Sequence, residues 1–309
     1  MTLSRRSLLA GLGCLSFLPQ VVSASRAGQG AGDAISPRVV ALDWSSAETL
    51  IMLGLPPVGI VRIPDYKAWV VEPALPAGVV DVGLRLEPNL EVMQQLAPDL
   101  IVIAPGLETV RARLEQVAPT VSLTIYGTGQ EAFPAAVAET RRLGTLVGCS
   151  TEAEDYLARA ARQIDRARDR LRGYDGRPVH VVNFLDDRHV RVFGTTSLWQ
   201  HALGRLGLRN AWTGDSGPWG SVTVGIERLL SDPEARLVHV APAPEGVVAR
   251  LRTSPLWRHL PAIADGRMVG LPAVFPFGAV PCTVRFADCL SLALGGGADK
   301  SSTTEGRGA

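Results

Sequence analysis

The residues best placed to do chemistry in this sequence are aromatic and cationic. Trp69 and Trp219 sit in Pro/Gly-rich stretches, and Arg85 lies in the run Asp81-Val82-Gly83-Leu84-Arg85-Leu86-Glu87-Pro88. Tryptophan is a core residue more often than a ligand wall, but segments rich in turn formers are where binding residues concentrate. Arg85 carries a rigid fork of donors suited to anionic or polarised oxygen; pairing with Glu87 is the alternative use of its charge. These side chains recognise ligands and do not make or break bonds. The five histidines (His180, His189, His201, His239, His259) are scattered without His-Glu-x-x-His spacing, and no Gly-x-Ser-x-Gly elbow or phosphate loop occurs, so the sequence offers no enzyme site. His239, in an apolar run, is expected to be a hydrogen-bonded core residue. Glu91 and Glu227 each fall in the first turn of an expected helix, one in each half of the chain. Dipole stabilisation there is worth about 0.3–1 kcal/mol.

The elements that must position these residues alternate. Val39-Val40-Ala41-Leu42, Val58-Gly59-Ile60-Val61 and Leu100-Ile101-Val102-Ile103 read as buried strands, with Val121 to Ile125 as another. Ser45-Ser46-Ala47-Glu48 has the spacing of a capping box opening a helix, and further helices are expected over 89–96 and 131–147. In the second half, 179–184, 191–193, 237–240 and 267–271 read as strands, with helices over 197–206, 227–230 and around Trp257. Continuous apolar strands alternating with helices predict mostly parallel α/β sheets. The segment 152–172 has no Gly or Pro, leads with acids and trails with arginines. It places Tyr156, Ala160, Ile164 or Ala167, and Leu171 on one face. Such a helix, about 30 Å long, would join two lobes and restrict them to small hinge motions.

The ends of the chain are of another kind. Residues 1–24 begin with Arg5 and Arg6, continue through an apolar run from Leu8 to Leu15, and end on Val22-Ser23-Ala24. This is a signal-peptide pattern too short to span a bilayer. The paired arginines point to twin-arginine export, with an ordinary Sec signal as the alternative. Gly11-Leu12-Gly13 ahead of Cys14 lacks, at its first position, the aliphatic residue expected for lipidation. Residues 25–36 form a polar, Gly-rich linker and 296–309 a low-complexity tail expected to be disordered. The net charge of +1, about −1 once residues 1–24 are removed with Arg5 and Arg6, excludes a strongly basic nucleic-acid binder. Cys149, Cys282 and Cys289 are an odd set without Cys-x-x-Cys. They predict free thiols, and on one helix Cys282 and Cys289 would be about 10 Å apart.

Several blocks carry a family resemblance: Val39-Val40-Ala41-Leu42-Asp43-Trp44, Asp65-Tyr66-Lys67-Ala68-Trp69, the run from Asp81 to Glu91, Asn210-Ala211-Trp212, Pro218-Trp219-Gly220-Ser221 and Leu271-Pro272-Ala273-Val274. In unbroken order from about residue 38 to 296, the chain resembles the hydroxamate-siderophore (ferrichrome) branch of the helical-backbone, class III periplasmic binding proteins. The resemblance implies two Rossmann-like α/β lobes, 37–148 and 175–295, joined by one backbone helix within 149–174. It implies a monomer with no intrinsic cofactor and no metal ligand of its own, binding an Fe(III)–siderophore complex whose oxygens fill the iron coordination sphere. Arg85 would bond those oxygens, and Trp69 and Trp219 would supply apolar faces, with Trp44, Tyr66, Ser221, Phe275 and Phe277 as further wall positions. Glu91 and Glu227 would pair with arginines on the membrane permease subunits of an ABC importer. Two positions depart from the family. Leu107, after Ala104-Pro105-Gly106, stands where a tyrosine bonds the hydroxamate, and Phe275 replaces a tryptophan. The siderophore itself is thereby left open, a mixed citrate–hydroxamate included. The same scaffold carrying haem or a cobalamin-like ligand is the alternative, with Tyr66 as the axial candidate.

Overall fold

The computed structural model describes residues 36–127 and 131–295. The expected signal peptide, all of the linker but Ser36, and the tail lie outside them.

Five short strands, β1 (Val39–Ala41), β2 (Gly59–Ile60), β3 (Val80–Asp81), β4 (Leu100–Ile103) and β5 (Thr120–Ser122), form a wholly parallel sheet in the order β3-β2-β1-β4-β5. β1 and all but the first residue of β4 are buried, as an apolar strand covered on both faces must be. Gly59 belongs in β2 because a Cβ there would lie 2.8 Å from Leu96 and 2.9 Å from Val82. Helices α1 (Trp44–Met52), α2 (Ile63–Trp69), α3 (Leu90–Leu96) and α4 (Arg111–Leu114) accompany this sheet. Asn89 caps α3, its Oδ1 accepting from the Val92 amide at 3.1 Å. The expected capping box is not formed. Asp43 caps α1 instead, accepting from the Ser46 amide at 3.0 Å, and Glu48 turns wholly inward.

α5 (Ala132–Leu146) leads to α6 (Ser150–Arg170), the connecting helix, which begins and ends two residues before its expected limits. Its buried stripe is Ala153, Tyr156, Ala160, Ile164 and Ala167. The second sheet contains β6 (Val179–Phe184), β7 (His189–Phe193), β8 (Ser221–Gly225), β9 (Arg236–Val240) and β10 (Met268–Leu271), in the order β10-β9-β6-β7-β8. It is mixed, contrary to the mostly parallel sheet expected. β10, β9 and β6 are parallel, whereas β7 and β8 are antiparallel neighbours. The short link 185–188 leaves no room for a crossover, and Asp186 closes it by accepting from the Arg188 and His189 amides, both at 2.7 Å. Helices α7 (Leu198–Arg205), α8 (Val247–Thr253), α9 (Pro255–Arg258), α10 (Pro261–Ala264) and α11 (Val280–Gly295) complete this lobe.

α6 is not the sole joint. One apolar cluster takes Leu53, Ile125 and Ala136 together with Tyr156, Ile164, Trp199, Phe286 and Leu290. α11 packs on α6, α7, α5 and α1. Cys282 and Cys289 both lie on α11 as free thiols, and Cys149 is also free. His239 is buried in β9 and its ring stacks on Phe184 at 4.0 Å, but its Nε2 has no hydrogen-bond partner among the described residues.

Candidate ligand cleft

In a parallel sheet, the loops leaving the carboxyl ends of the strands gather on one side, and a crevice opens where the strand order reverses. Here β1 is followed in sequence by β2 on one flank, while β4 occupies the other. Asp43 and Ser45 follow β1, residues 104–106 follow β4, residues 123–127 follow β5, and Arg85 follows β3; all of these line one cavity. Trp219, Phe275 and Phe277 of the second lobe close it. The enclosed space is about 470 Å³, within the roughly 300–1,000 Å³ usual for small-molecule sites. A backbone bond from the Gly127 amide to the Pro218 carbonyl, 3.2 Å, ties the rims of the two lobes together.

The wall is an aromatic box. Tyr126 stacks on Trp219 with centroids 5.6 Å apart and planes 22° apart. Phe277 stands edge-on to both, at 6.0 and 6.1 Å, and Phe275 stands edge-on to Phe277 at 6.1 Å. Trp219 is 54% exposed, an unusual position for so large an apolar side chain. Behind Phe277, the Arg191 guanidinium lies 5.5 Å from the ring centroid, and burial lowers its pKa.

Two charged groups face the cavity. Asp43 is buried and already committed: besides the Ser46 amide it accepts from Ser46 Oγ at 2.6 Å and from Ser45 Oγ. Arg85 is exposed and makes no ion pair among the described residues, with Glu87 or with any other carboxylate. The lining thus presents one uncommitted cation amid aromatic surface.

The sequence-derived positions therefore divide. Arg85, Trp219, Phe275 and Phe277 are on the wall. Trp44 lies one layer back, edge-on to Phe275 at 5.0 Å, with its indole N–H donating to the Val61 carbonyl at 3.0 Å. Tyr66 is fully buried, and its hydroxyl donates to the Pro73 carbonyl at 2.7 Å. Burial, with Glu48 nearby, drives its pKa upward, so it offers no axial ligand to a haem in the cleft. Trp69 is on the last turn of α2, not in a loop, and does not line the cavity, because Tyr66 and Val70 take the buried positions of that helix. Ser221 is the first residue of β8, paired with Phe193, and is also off the wall. Leu107 points into the core of the first lobe from the 3-10 turn Pro105–Val110, while its neighbours 104–106 line the cavity. Glu91 and Glu227 are exposed in the first turns of α3 and of the 3-10 turn Ile226–Ser231. Tyr126 is the wall aromatic that the sequence reading missed. Its signal was an aromatic residue directly after an apolar strand, where α/β ligand loops begin.

Two α/β lobes sharing a core and a backbone helix, with an aromatic cleft between their rims, define a class of ligand-binding protein. Residues 39–274 match the periplasmic binding protein family, and the chain belongs to that family. It is 33% identical over 295 residues to the iron(3+)-hydroxamate-binding protein FhuD of Escherichia coli, covering 95% of this chain and 97% of the relative. It is 26% identical over 237 residues to the Fe(3+)-citrate-binding protein YfmC of Bacillus subtilis, covering 75% and 71%. Among solved structures it resembles the Fe3+–Desferal-bound siderophore-binding protein FhuD of Vibrio cholerae, with TM-score 0.80, 28% identity, and coverage of 84% and 98%.

Proposed function

We propose that this chain is exported to the periplasm, captures a ferric siderophore of hydroxamate type in the cleft, and delivers it to an ABC importer. The observation that carries this reading is the unpaired Arg85 guanidinium facing a largely apolar cavity in which four aromatic rings stand and the Asp43 carboxylate is already bonded. Three hydroxamates neutralise Fe(III), so their complex is uncharged overall while its oxygens remain polarised. One donor fork and broad apolar faces suit such a ligand. A tricatecholate complex, with three surplus negative charges, would call for more cations than the lining holds. Iron is cargo here, coordinated by siderophore oxygens, and Arg85, Trp219, Phe275, Phe277 and Tyr126 form the proposed contact set.

Glu91 and Glu227, one on each lobe, are the proposed contacts with the membrane permease subunits. Their exposure and charge support that role. The function is tested by titrating the protein with ferric hydroxamates, ferric citrate and a ferric tricatecholate while following tryptophan emission. Quenching that saturates at micromolar concentration or below is expected for hydroxamates first. A panel in which no ferric siderophore quenches the protein refutes the ligand class.

A further inference from the structure

The segment 275–279 carries two of the wall aromatics, Phe275 and Phe277, and enters α11 at its end. It is gripped at two consecutive residues by side chains distant in sequence. The Tyr126 hydroxyl donates to the Gly278 carbonyl at 2.9 Å, and the next amide, that of Ala279, donates to Glu48 Oε1 from α1. Glu48 is completely buried, and its second oxygen has no partner among the described residues. A buried carboxyl so poorly compensated is costly, and the amides that do compensate it, Ala279 and then Cys282, lie in this segment and just beyond it, 231 residues or more along the chain. The grip also dictates the residue at 278. A Cβ there would lie 2.5 Å from Glu48 Oε1 and 2.7 Å from Cys282 Sγ, so only glycine lets the carboxyl reach.

We propose that Glu48 and Tyr126 are positioning residues for ligand recognition, clamping the main chain at 278–279 so that Phe275 and Phe277 stand at fixed angles in the aromatic box. This rests on the reading of the cavity as the ligand site. Tyr126 acts twice, as a wall ring stacked on Trp219 and as the anchor of the opposite wall. Glu48 never meets the ligand and acts through Ala279. The groups that sense its charge, Asp43 on α1, Tyr66 on α2, Tyr126, Tyr156 on α6 and Cys282 on α11, include no cation that could hold it in its place.

The clamp is tested with Tyr126→Phe, which keeps the ring and removes the anchor, and Gly278→Ala, which drives the carboxyl away from the segment. Glu48→Leu removes the acceptor, and Glu48→Gln keeps it as the conservative rescue. Two readouts are taken: affinity for the ferric complex of Desferal, and acrylamide accessibility of Trp219 in the ligand-free protein, obtained by difference from Trp219→Phe. Tyr126→Phe and Gly278→Ala are each expected to weaken binding by about fivefold or more, the effect of one lost hydrogen bond. Both should raise Trp219 accessibility, and Glu48→Gln should stay within about twofold of the parent. Affinity and accessibility unchanged in Tyr126→Phe and Gly278→Ala would overturn the clamp, even if melting temperature fell. If the parent protein binds neither ferric Desferal nor any other ferric siderophore of the panel, the functional reading is in error, and Trp219 accessibility alone then decides whether the clamp exists.

Discussion

Replacing Glu48 with glutamine isolates the cost of burying a carboxyl at the junction of the two lobes. Burial raises its pKa from 4.5 to about 8, against the opposing pull of the Ala279 and Cys282 amides. The folded protein therefore holds a proton that the unfolded chain releases above pH 4.5. Stability conferred by the neutral group is complete below that pH and is lost as pH rises toward 8. The slope is about 1.4 kcal/mol per pH unit until the folded group itself begins to ionise, so the loss reaches about 3 kcal/mol at pH 7 and about 4 kcal/mol at pH 8. Glutamine has the shape of the protonated acid and does not titrate. Urea unfolding of both proteins at pH 5, 6, 7 and 8 should show Glu48→Gln gaining on the parent by about 1.4 kcal/mol per unit. His180 and His239, both lowered to about 4 by burial, destabilise the fold as pH falls below 6.5, but they do so equally in both proteins and cancel in the difference. Stability curves that run parallel across this range would refute the argument, because they would mean that Glu48 is ionised throughout.

Three further outcomes are expected. Arg85→Ala should weaken ferric-hydroxamate binding at least tenfold, about 1.4 kcal/mol, in the tryptophan-quenching assay, without shifting the urea midpoint. The double variant Glu91→Ala with Glu227→Ala should abolish uptake in a reconstituted importer and leave ligand affinity intact; a loss of affinity would remove these residues from the docking role. Leu107→Tyr should not add a hydroxyl to the cleft. It should cost about 1–3 kcal/mol in urea unfolding by overpacking the core beside Val82, Met93 and Leu114.

Much of the fold was legible because the signals were local. The connecting helix had length, uninterrupted helix formers and one apolar face, and it appears two residues from its expected limits. The Asn89 cap and the buried strands β1, β4, β6 and β9 likewise carried their own marks. What was illegible depended on partners. α11 is buried on so many sides that no stripe marks it, and Pro64 disguised α2 as a loop. The residues of β7 and β8 do not state the direction of their neighbours; only the short link at 185–188 does. Glu48 had capping-box spacing, yet the helix starts two residues earlier, capped by Asp43 through the Ser46 amide, and Glu48 turns inward.

At the site, Arg85 and Trp219 were legible from the blocks that carry the family resemblance, and Trp219 also from its Pro/Gly-rich setting. Tyr66, Trp69 and Leu107 were not, because a shared block fixes which residues occur and not which way each side chain points. In α2 the helical period puts Tyr66 inside, and in the turn Pro105–Val110 it is Leu107 that faces the core.

The bond from Gly127 to Pro218 and the core shared by α5, α6, α7 and α11 give the cleft its shape before any ligand arrives. The entropy of ordering its walls is lost when the chain folds, so little of it is charged against binding. Such a site discriminates by geometry. A complex of the wrong diameter meets walls that do not yield, and its penalty grows with the misfit, whereas a mobile cleft would adjust and bind many shapes with middling affinity.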